Sequence, residues 1–386
     1  MNKFIFEYPL DWIQKKDPQN LEFISNINSS LMELEQIVSI VPTGYPSYGI
    51  PRLDSNIPHL AFHSYNNPHY IWSYKEAPIK GLFSIDPRGY GGWSDIASNL
   101  DRYQEEINKI ENYDEIISPY KEQLKNGISK YLQPQKSIRI QPNYILFALQ
   151  VRTDSVADHA YIDVLDVLNE VDRLSKKYQK RVVIKPHPKC NSELLTAHIF
   201  RLSYNNPMIS ISYDDIIQLI QHSDRVVACN SGVSLEALIL DKDVYCFGMS
   251  EWFHITNQIK EIKDIENIFD RNYNNKIDAI YQKKYIAFLL SEYWVRYEDK
   301  KKIKAKLKQL INLSSPSKNS TLNLEEQCTT KILDIQTTYM KKIKKLELIE
   351  KDFKNQQKIM QYFRKKPLYI IIYFIKFNLL KLKSKK

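Results

Sequence analysis

Two short segments carry polar side chains in a pattern that can hold a phosphate. Val182-Val-Ile-Lys-Pro-His-Pro188 reads as a buried β-branched strand stopped by two prolines, so that Lys185 and His187 project from its carboxyl end. Arg225-Val-Val-Ala-Cys229 is a second apolar strand, and Asn230-Ser-Gly-Val-Ser-Leu-Glu-Ala-Leu238 opens a helix after it, with Asn230, Ser231 and Ser234 around Gly232. Unbonded N–H groups at a helix start, hydroxyls and a cationic pair are what an anionic phosphate binds. Each segment alone has a plainer explanation: strand, serine, helix is ordinary capping, and a single histidine is commonly a packed or surface one. With both strand ends expected side by side in a parallel sheet, the two together describe one anion site at the rim where α/β folds bind ligands.

The same segments resemble the HP and SS motifs of bacterial sialyltransferase-like and capsule polysaccharide β-Kdo transferases, GT-B enzymes that use CMP-activated acidic sugars. Two more stretches point to the Kdo side. Ile145-Leu-Phe-Ala-Leu-Gln-Val-Arg-Thr-Asp-Ser155 is similar to the Gln-Val-x-x-Asp-Ser strand end of the capsule enzymes, and Phe83-Ser-Ile-Asp-Pro-Arg-Gly-Tyr-Gly-Gly-Trp-Ser-Asp-Ile96 to their Gly-Tyr-x-Gly-Trp-Ser loop. The resemblance spans about residues 80 to 255, with the four motifs in the family's order. It implies a GT-B architecture, two Rossmann-like domains facing a cleft. It also implies retention, with the family's nucleophilic Asp at Asp154 and its catalytic His at His187. Donor contacts fall on Gln150, Lys185, His187, Asn230, Ser231, Gly232 and Ser234. Glu236 would meet the cytidine ribose, as helix acids do in related enzymes; an ordinary surface glutamate is the alternative.

CMP-Kdo presents a phosphate leaving group, and a carboxylate next to a quaternary anomeric carbon. The enzyme therefore needs cations and N–H donors more than a leaving-group acid, which Lys185, His187 and the Ser231–Ser234 helix start supply. Retention needs a carboxylate close to the anomeric carbon, and Asp154 is the candidate; capping of Ser155-Val-Ala-Asp158 is its plain alternative. The acceptor hydroxyl should lose its proton to a base across the cleft, for which Asp95 and Asp86 qualify by position. The family's loop often carries Glu where this chain has Asp95. Arg152 stands where the family frequently has Pro or Glu, and no role is expected of it.

These residues need elements to position them. Residues 1 to about 45 carry helical patterning, notably Leu21 to Leu34, and a Pro/Gly/Tyr-rich stretch runs from Pro42 to Pro58. Ala61-Phe-His63, Tyr70-Ile-Trp-Ser-Tyr74 and Gly81-Leu-Phe-Ser-Ile85 read as short strands, with the Gly89-Tyr-Gly-Gly-Trp93 loop entering a helix near Ser94. Residues 101 to 132 read as helical, and a proline-marked junction runs from Gln133 to Asn143. From Tyr144 strands and helices alternate, which specifies a parallel sheet covered by helices. The expected divisions are an acceptor-side domain at 1–140, a nucleotide-sugar domain with crossover helices at 141–310, and a basic helical tail at 311–386.

The 386 residues, 43% of them hydrophobic, suffice for two cores. Cys190, Cys229, Cys246 and Cys328 lie far apart with no C-x-x-C pair, so neither a zinc site nor a disulfide framework is indicated, and a reducing cytoplasm is the simplest setting. Asp214-Asp215 reads as helix capping rather than a magnesium site, and His59, His63 and His69 show no zinc spacing; metal-independent catalysis is expected, with no cofactor. The start, Met1 to Pro9, lacks a hydrophobic signal core.

The net charge of +10 is uneven: residues 300–386 carry 23 Lys/Arg against 6 Asp/Glu, leaving 32 against 39 for the rest. A mildly acidic body argues against nucleic acid as a partner. Residues 322–363 read as a charged helix. In 364–386 the apolar run Leu368–Ile375 is far below the roughly 20 residues that cross a bilayer, and reads as a basic interfacial anchor on anionic lipid. The expected partners are a nucleotide-sugar donor, a glycan or lipid-linked acceptor and the inner face of the cytoplasmic membrane. The expected activity is Kdo transfer from CMP-Kdo in capsule or other surface polysaccharide synthesis. The alternatives are a CMP-sialic acid enzyme, or a noncatalytic capsule assembly or export factor built on a GT-B shell.

Overall fold

The structure is a computed structural model that describes residues 2–43, 57–130, 140–152, 154–270, 273 and 277–314. The expected anchor and charged helix at 322–386, most of the Pro42–Pro58 stretch and most of the Gln133–Asn143 junction lie outside the described residues, as does Cys328.

The chain opens with β1 (Asn2–Pro9), α1 (Leu10–Lys15), α2 (Pro18–Glu33) and β2 (Gln36–Thr43). This corrects the helical reading of the first 45 residues. Helix is confined to α1 and α2; at α2 Asp17 accepts from the N–H groups of Gln19 and Asn20 at 3.0 and 3.2 Å, and Phe23, Ile24, Ile27 and Leu31 are buried. The flanking stretches have another period: Phe4 and Phe6 alternate into the core, the pattern of a strand. Next come β3 (His59–Phe62), β4 (Ile71–Glu76) and β5 (Leu82–Asp86), then α3 (Asp95–Ser98), α4 (Gln104–Asn108) and α5 (Tyr113–Lys125).

The alternating half follows: β6 (Tyr144–Ala148), α6 (Val164–Lys177), β7 (Val182–Lys185), α7 (Glu193–Asn205), β8 (Ile209–Ile211), α8 (Ile216–His222), β9 (Ser223–Ala228), α9 (Gly232–Ile239), β10 (Asp243–Cys246) and β11 (Asn257–Gln258). The chain then runs through α10 (Ala279–Phe288), β12 (Val295–Arg296) and α11 (Lys300–Ser314). By compactness the chain divides into a unit of Met1–His187 with Met208–Ser315, and a second unit to which Pro188–Pro207 belongs. The described part of the second unit is the helix α7, capped by Ser192 on the Leu195 N–H at 3.3 Å.

Two six-stranded sheets build the first unit. One has the order β12-β5-β4-β3-β1-β2, parallel through β1 to β4 with β5 antiparallel. The other, all parallel, has the order β11-β10-β9-β6-β7-β8. That is the Rossmann order, in which the chain winds outward from β6 through β7 and β8, returns, and winds the other way from β9. The fold is thus α/β of GT-B type, with two Rossmann-like halves. The last described elements come back to the first sheet: β12 pairs with β5, and Lys300 and Lys304 of α11 reach Glu33 of α2 at 2.6 and 2.7 Å. One apolar cluster surrounds the first sheet with Phe4, Phe6, Phe23, Phe83 and Leu307. A larger one joins Ile79 and Leu82 from the β4–β5 turn to Leu235, Leu238 and Ile286.

Candidate active site

In an open parallel sheet ligands sit outside the carboxyl ends of the strands where the winding reverses. Here the reversal lies between β6 and β9. Asp154 follows β6, and Asn230 and Ser231 follow β9, so both reach that crevice. Lys185 and His187 end β7 on the far side of β6. The expectation that the β7 and β9 ends are neighbours is corrected, because β6 runs between them.

Asp154 is exposed and begins a single 3-10 turn, Ser155–His159, accepting from the Val156 N–H at 3.5 Å. The capping expected as its plain alternative is present, weakly, and leaves carboxylate lone pairs to solvent. Arg152 has a structural partner in Asp163, at 3.0 Å. Lys185 lies half-buried with its ammonium on the Asp214 carbonyl at 2.6 Å, and burial pulls it down to about 8 against the opposing pull of Asp215 and Asp214. His187 is half-buried two residues beyond β7.

Ser231 caps α9, taking the Val233 N–H at 3.4 Å, and Gly232 lies against the β4–β5 turn, where a Cβ would stand 3.0 Å from Pro78 Cβ. Asn230 donates to the carbonyls of Val156 at 2.7 Å and Met249 at 3.0 Å, tying together the segments that follow β6, β9 and β10. Its buried Oδ1 has no hydrogen-bond partner among the described residues, and neither does Oε1 of Gln150. Ser234, expected among the donor contacts, is turned into the core: it is fully buried, donates to the Ser231 carbonyl at 2.6 Å and accepts from Trp252 Nε1 at 2.8 Å. Glu236 is also inside, which removes the surface alternative. It accepts from Ser129 Oγ at 2.6 Å, and burial pushes its carboxyl up to about 7.

The first sheet delivers its loop to the same crevice. Asp86, 1% exposed, accepts from the N–H groups of Arg88, Gly89 and Asp95 and from the Tyr293 hydroxyl. Asp95, 2% exposed, accepts from Asn99, Tyr103 and Arg102 at 2.7, 2.6 and 3.1 Å. Both side chains, expected as acceptor bases, are bound into holding the loop, a use that leaves neither an open acceptor. What they hold is Tyr90-Gly-Gly-Trp93. Gly91 adopts φ +58°, and a Cβ on Gly92 would stand 2.5 Å from the His159 ring, so the backbone meets the Ser155–His159 turn where a side chain has no room. Trp93 sets its edge against His159, with ring centroids 4.3 Å apart. The Tyr90 hydroxyl lies 3.0 Å from Ser155 Oγ, and the Gly91 N–H donates to Glu251 at 2.9 Å.

Sequence reasoning missed Glu251, Tyr90 and Lys75. Glu251 follows β10 and is buried, which raises its carboxyl above the usual range. Lys75 is the penultimate residue of the aromatic strand β4, with its ammonium 4.1 Å from the Tyr90 ring centroid. A lysine at the carboxyl end of an otherwise buried strand was the signal available. Among the described residues no group of three or more His, Cys, Asp or Glu is gathered where it could hold a metal ion.

A search of curated proteins found no match. Among solved structures the chain is similar to two Thermosulfurimonas dismutans KpsC structures. The β-Kdo 2,7 transferase has 17% identity, with 82% of this chain and 100% of that chain covered and a TM-score of 0.44. The β-Kdo 2,4 transferase has 14% identity, 74% and 89% coverage and a TM-score of 0.43. A UDP co-structure of MnaA from S. aureus follows at 10% identity, 74% and 91% coverage and a TM-score of 0.35. At these identities the likenesses say nothing of substrate or activity. The family model described as capsule polysaccharide biosynthesis protein matches residues 98–297, more than half of the 386. With that match over more than half of it, the chain belongs to the capsule polysaccharide biosynthesis protein family.

Proposed function

We propose that this protein is a retaining glycosyltransferase that moves an acidic sugar, Kdo, from CMP-Kdo to a glycan or glycolipid acceptor in capsule or other surface polysaccharide synthesis. The observation that carries the reading is Asp154, an exposed carboxylate at the reversal point of a Rossmann sheet, with Lys185 and His187 on one side and the Ser231 helix start on the other. The cations and N–H groups take the phosphate and stabilise it as it leaves. The unpartnered acceptors of Gln150 and Asn230 suit the hydroxyl or amino groups of a nucleoside.

In the first step an Asp154 oxygen attacks the anomeric carbon as its bond to the phosphate oxygen breaks, releasing CMP. The acceptor hydroxyl then attacks the same carbon from the face CMP has left. Its proton passes to a base, and the Asp154 oxygen departs as a carboxylate. Two inversions give retention. Neither step requires a metal, and activity should persist in EDTA. The reading sets the protein at the inner face of the cytoplasmic membrane, near a lipid-linked acceptor. No helix among the described residues is long and apolar enough to cross a membrane.

The test is Asp154→Asn with a panel of CMP-Kdo, CMP-sialic acid, UDP- and GDP-sugars. The wild type should turn over CMP-Kdo and, without acceptor, carry a Kdo adduct on Asp154 by mass spectrometry. The variant should bind CMP and lose turnover by several orders of magnitude. Near-normal turnover in the variant sinks the nucleophile assignment. Turnover of CMP-sialic acid alone makes the sugar wrong, and no transfer or hydrolysis of any donor makes the protein a binding factor.

A further inference from the structure

In a sugar whose carboxylate is bonded directly to the anomeric carbon, a carboxylate nucleophile must approach that carbon with a second negative charge beside it. Like charges in a cleft poor in water repel strongly, and a cation placed between them converts repulsion into binding. Lys185, on β7, is assigned to the phosphate, with its ammonium also on the Asp214 carbonyl. The first sheet supplies another.

Lys75 is half-buried near the end of β4, and its ammonium lies over the face of Tyr90, 4.1 Å from the ring centroid. The Tyr90 hydroxyl is 3.0 Å from Ser155 Oγ, which lies 3.4 Å from Asp154 Oδ1. Lys75 therefore stands one aromatic ring and one serine away from the proposed nucleophile. Asp154, Glu76 and Glu251 act on it through space, while His63 feels its charge from the end of β3. Glu251 is committed to the Gly91 N–H, and Asp154 is the exposed member of the set.

We propose that Lys75 binds the carboxylate of the acidic sugar beside Asp154 and so selects acidic over neutral sugar donors. The inference rests on the reading of Asp154 as the nucleophile. It has a pH signature. Burial lowers Lys75 below the usual lysine value, and Asp154, Glu76 and Glu251 pull it back up. The charged form is held below its folded-state pKa and lost as pH rises through it, so wild-type activity on CMP-Kdo should fall on the alkaline side. An arginine keeps its charge there.

The experiment compares Lys75→Met and Lys75→Arg in the full chain, measuring kcat/KM for CMP-Kdo across pH and the affinity for CMP, which lacks the sugar. Lys75→Met should lower kcat/KM by about 10- to 100-fold, the worth of one charge-assisted contact, and leave CMP affinity within about two-fold. Lys75→Arg should retain activity and weaken the alkaline fall, leaving the part that Lys185 contributes as it loses its own charge. Unchanged kcat/KM in Lys75→Met, or CMP affinity falling in parallel with it, overturns the proposal. If Lys75→Met does not fold, the arginine variant decides: an alkaline fall identical to wild type overturns it. Should Asp154→Asn be inactive while Lys75→Met behaves as wild type, the assignment of Lys75 alone fails; should Asp154→Asn turn over normally, the parent reading fails first.

Discussion

Glu236→Gln tests whether α9 carries a carboxyl that burial makes harder to ionise. Glu236 is 4% exposed, and its carboxyl accepts from Ser129 at 2.6 Å. Burial raises it from 4.5 to about 7; Asp215 adds to the rise, and the Ser129 hydrogen bond and Lys130 oppose it. Below pH 4.5 folded and unfolded chains both keep the proton, and the group costs nothing. Between 4.5 and about 7 the unfolded chain releases it and the folded chain does not, so stability falls with rising pH until the native carboxyl also ionises. At about 1.4 kcal/mol per pH unit, that interval amounts to about 3 kcal/mol lost above pH 7. Glutamine has no proton to lose and keeps an oxygen for Ser129. Its urea midpoint should therefore match the native protein near pH 4.5 and exceed it above pH 8. The decisive readout is the difference in unfolding free energy between pH 5 and pH 8 for each protein. Parallel pH curves would refute the argument and mean that Glu236 is solvated in the native state.

Two more predictions concern the loop and the tail. Gly92→Ala puts a methyl 2.5 Å from the His159 ring, so it should cost about 1–3 kcal/mol by overpacking and lower turnover with it, because the same loop brings Tyr90 to Ser155; a native melting temperature and native turnover would show that the loop does not dock there. Removing residues 364–386, where each lysine near an anionic surface contributes about 1 kcal/mol, should free the protein from anionic liposomes in a salt-dependent way and spare transfer to a soluble acceptor analogue. Continued sedimentation of the truncated protein, or loss of activity on the soluble analogue, would refute an anchor.

The strands of the second sheet and the stops and caps at their ends were legible in the sequence because the forces that set them are local. The apolar runs at 145–148, 182–184 and 225–228 are strands in the structure, the prolines stop β7 after Lys185, and Ser231 caps α9. The first strand is hidden because the helical period at 21–34 masks the alternation of the short stretch before it. Tertiary structure alone decided the rest. That β6 lies between β7 and β9 follows from how the strands assemble, since their apolar stretches are interchangeable as sequence. Ser234 and Glu236 read like the exposed polar residues of a helix start until packing places them inside. Asp86 and Asp95 read as available carboxylates until their donors are counted, one of them, Tyr293, 207 residues from Asp86 in the chain. Tyr90 meets Ser155 across 65 residues, and Gly91 meets Glu251 across 160. Capping, proline stops and strand propensity act within a few residues and can be read along the chain. The pairing of a buried donor with its acceptor is chosen by which surfaces the fold brings together.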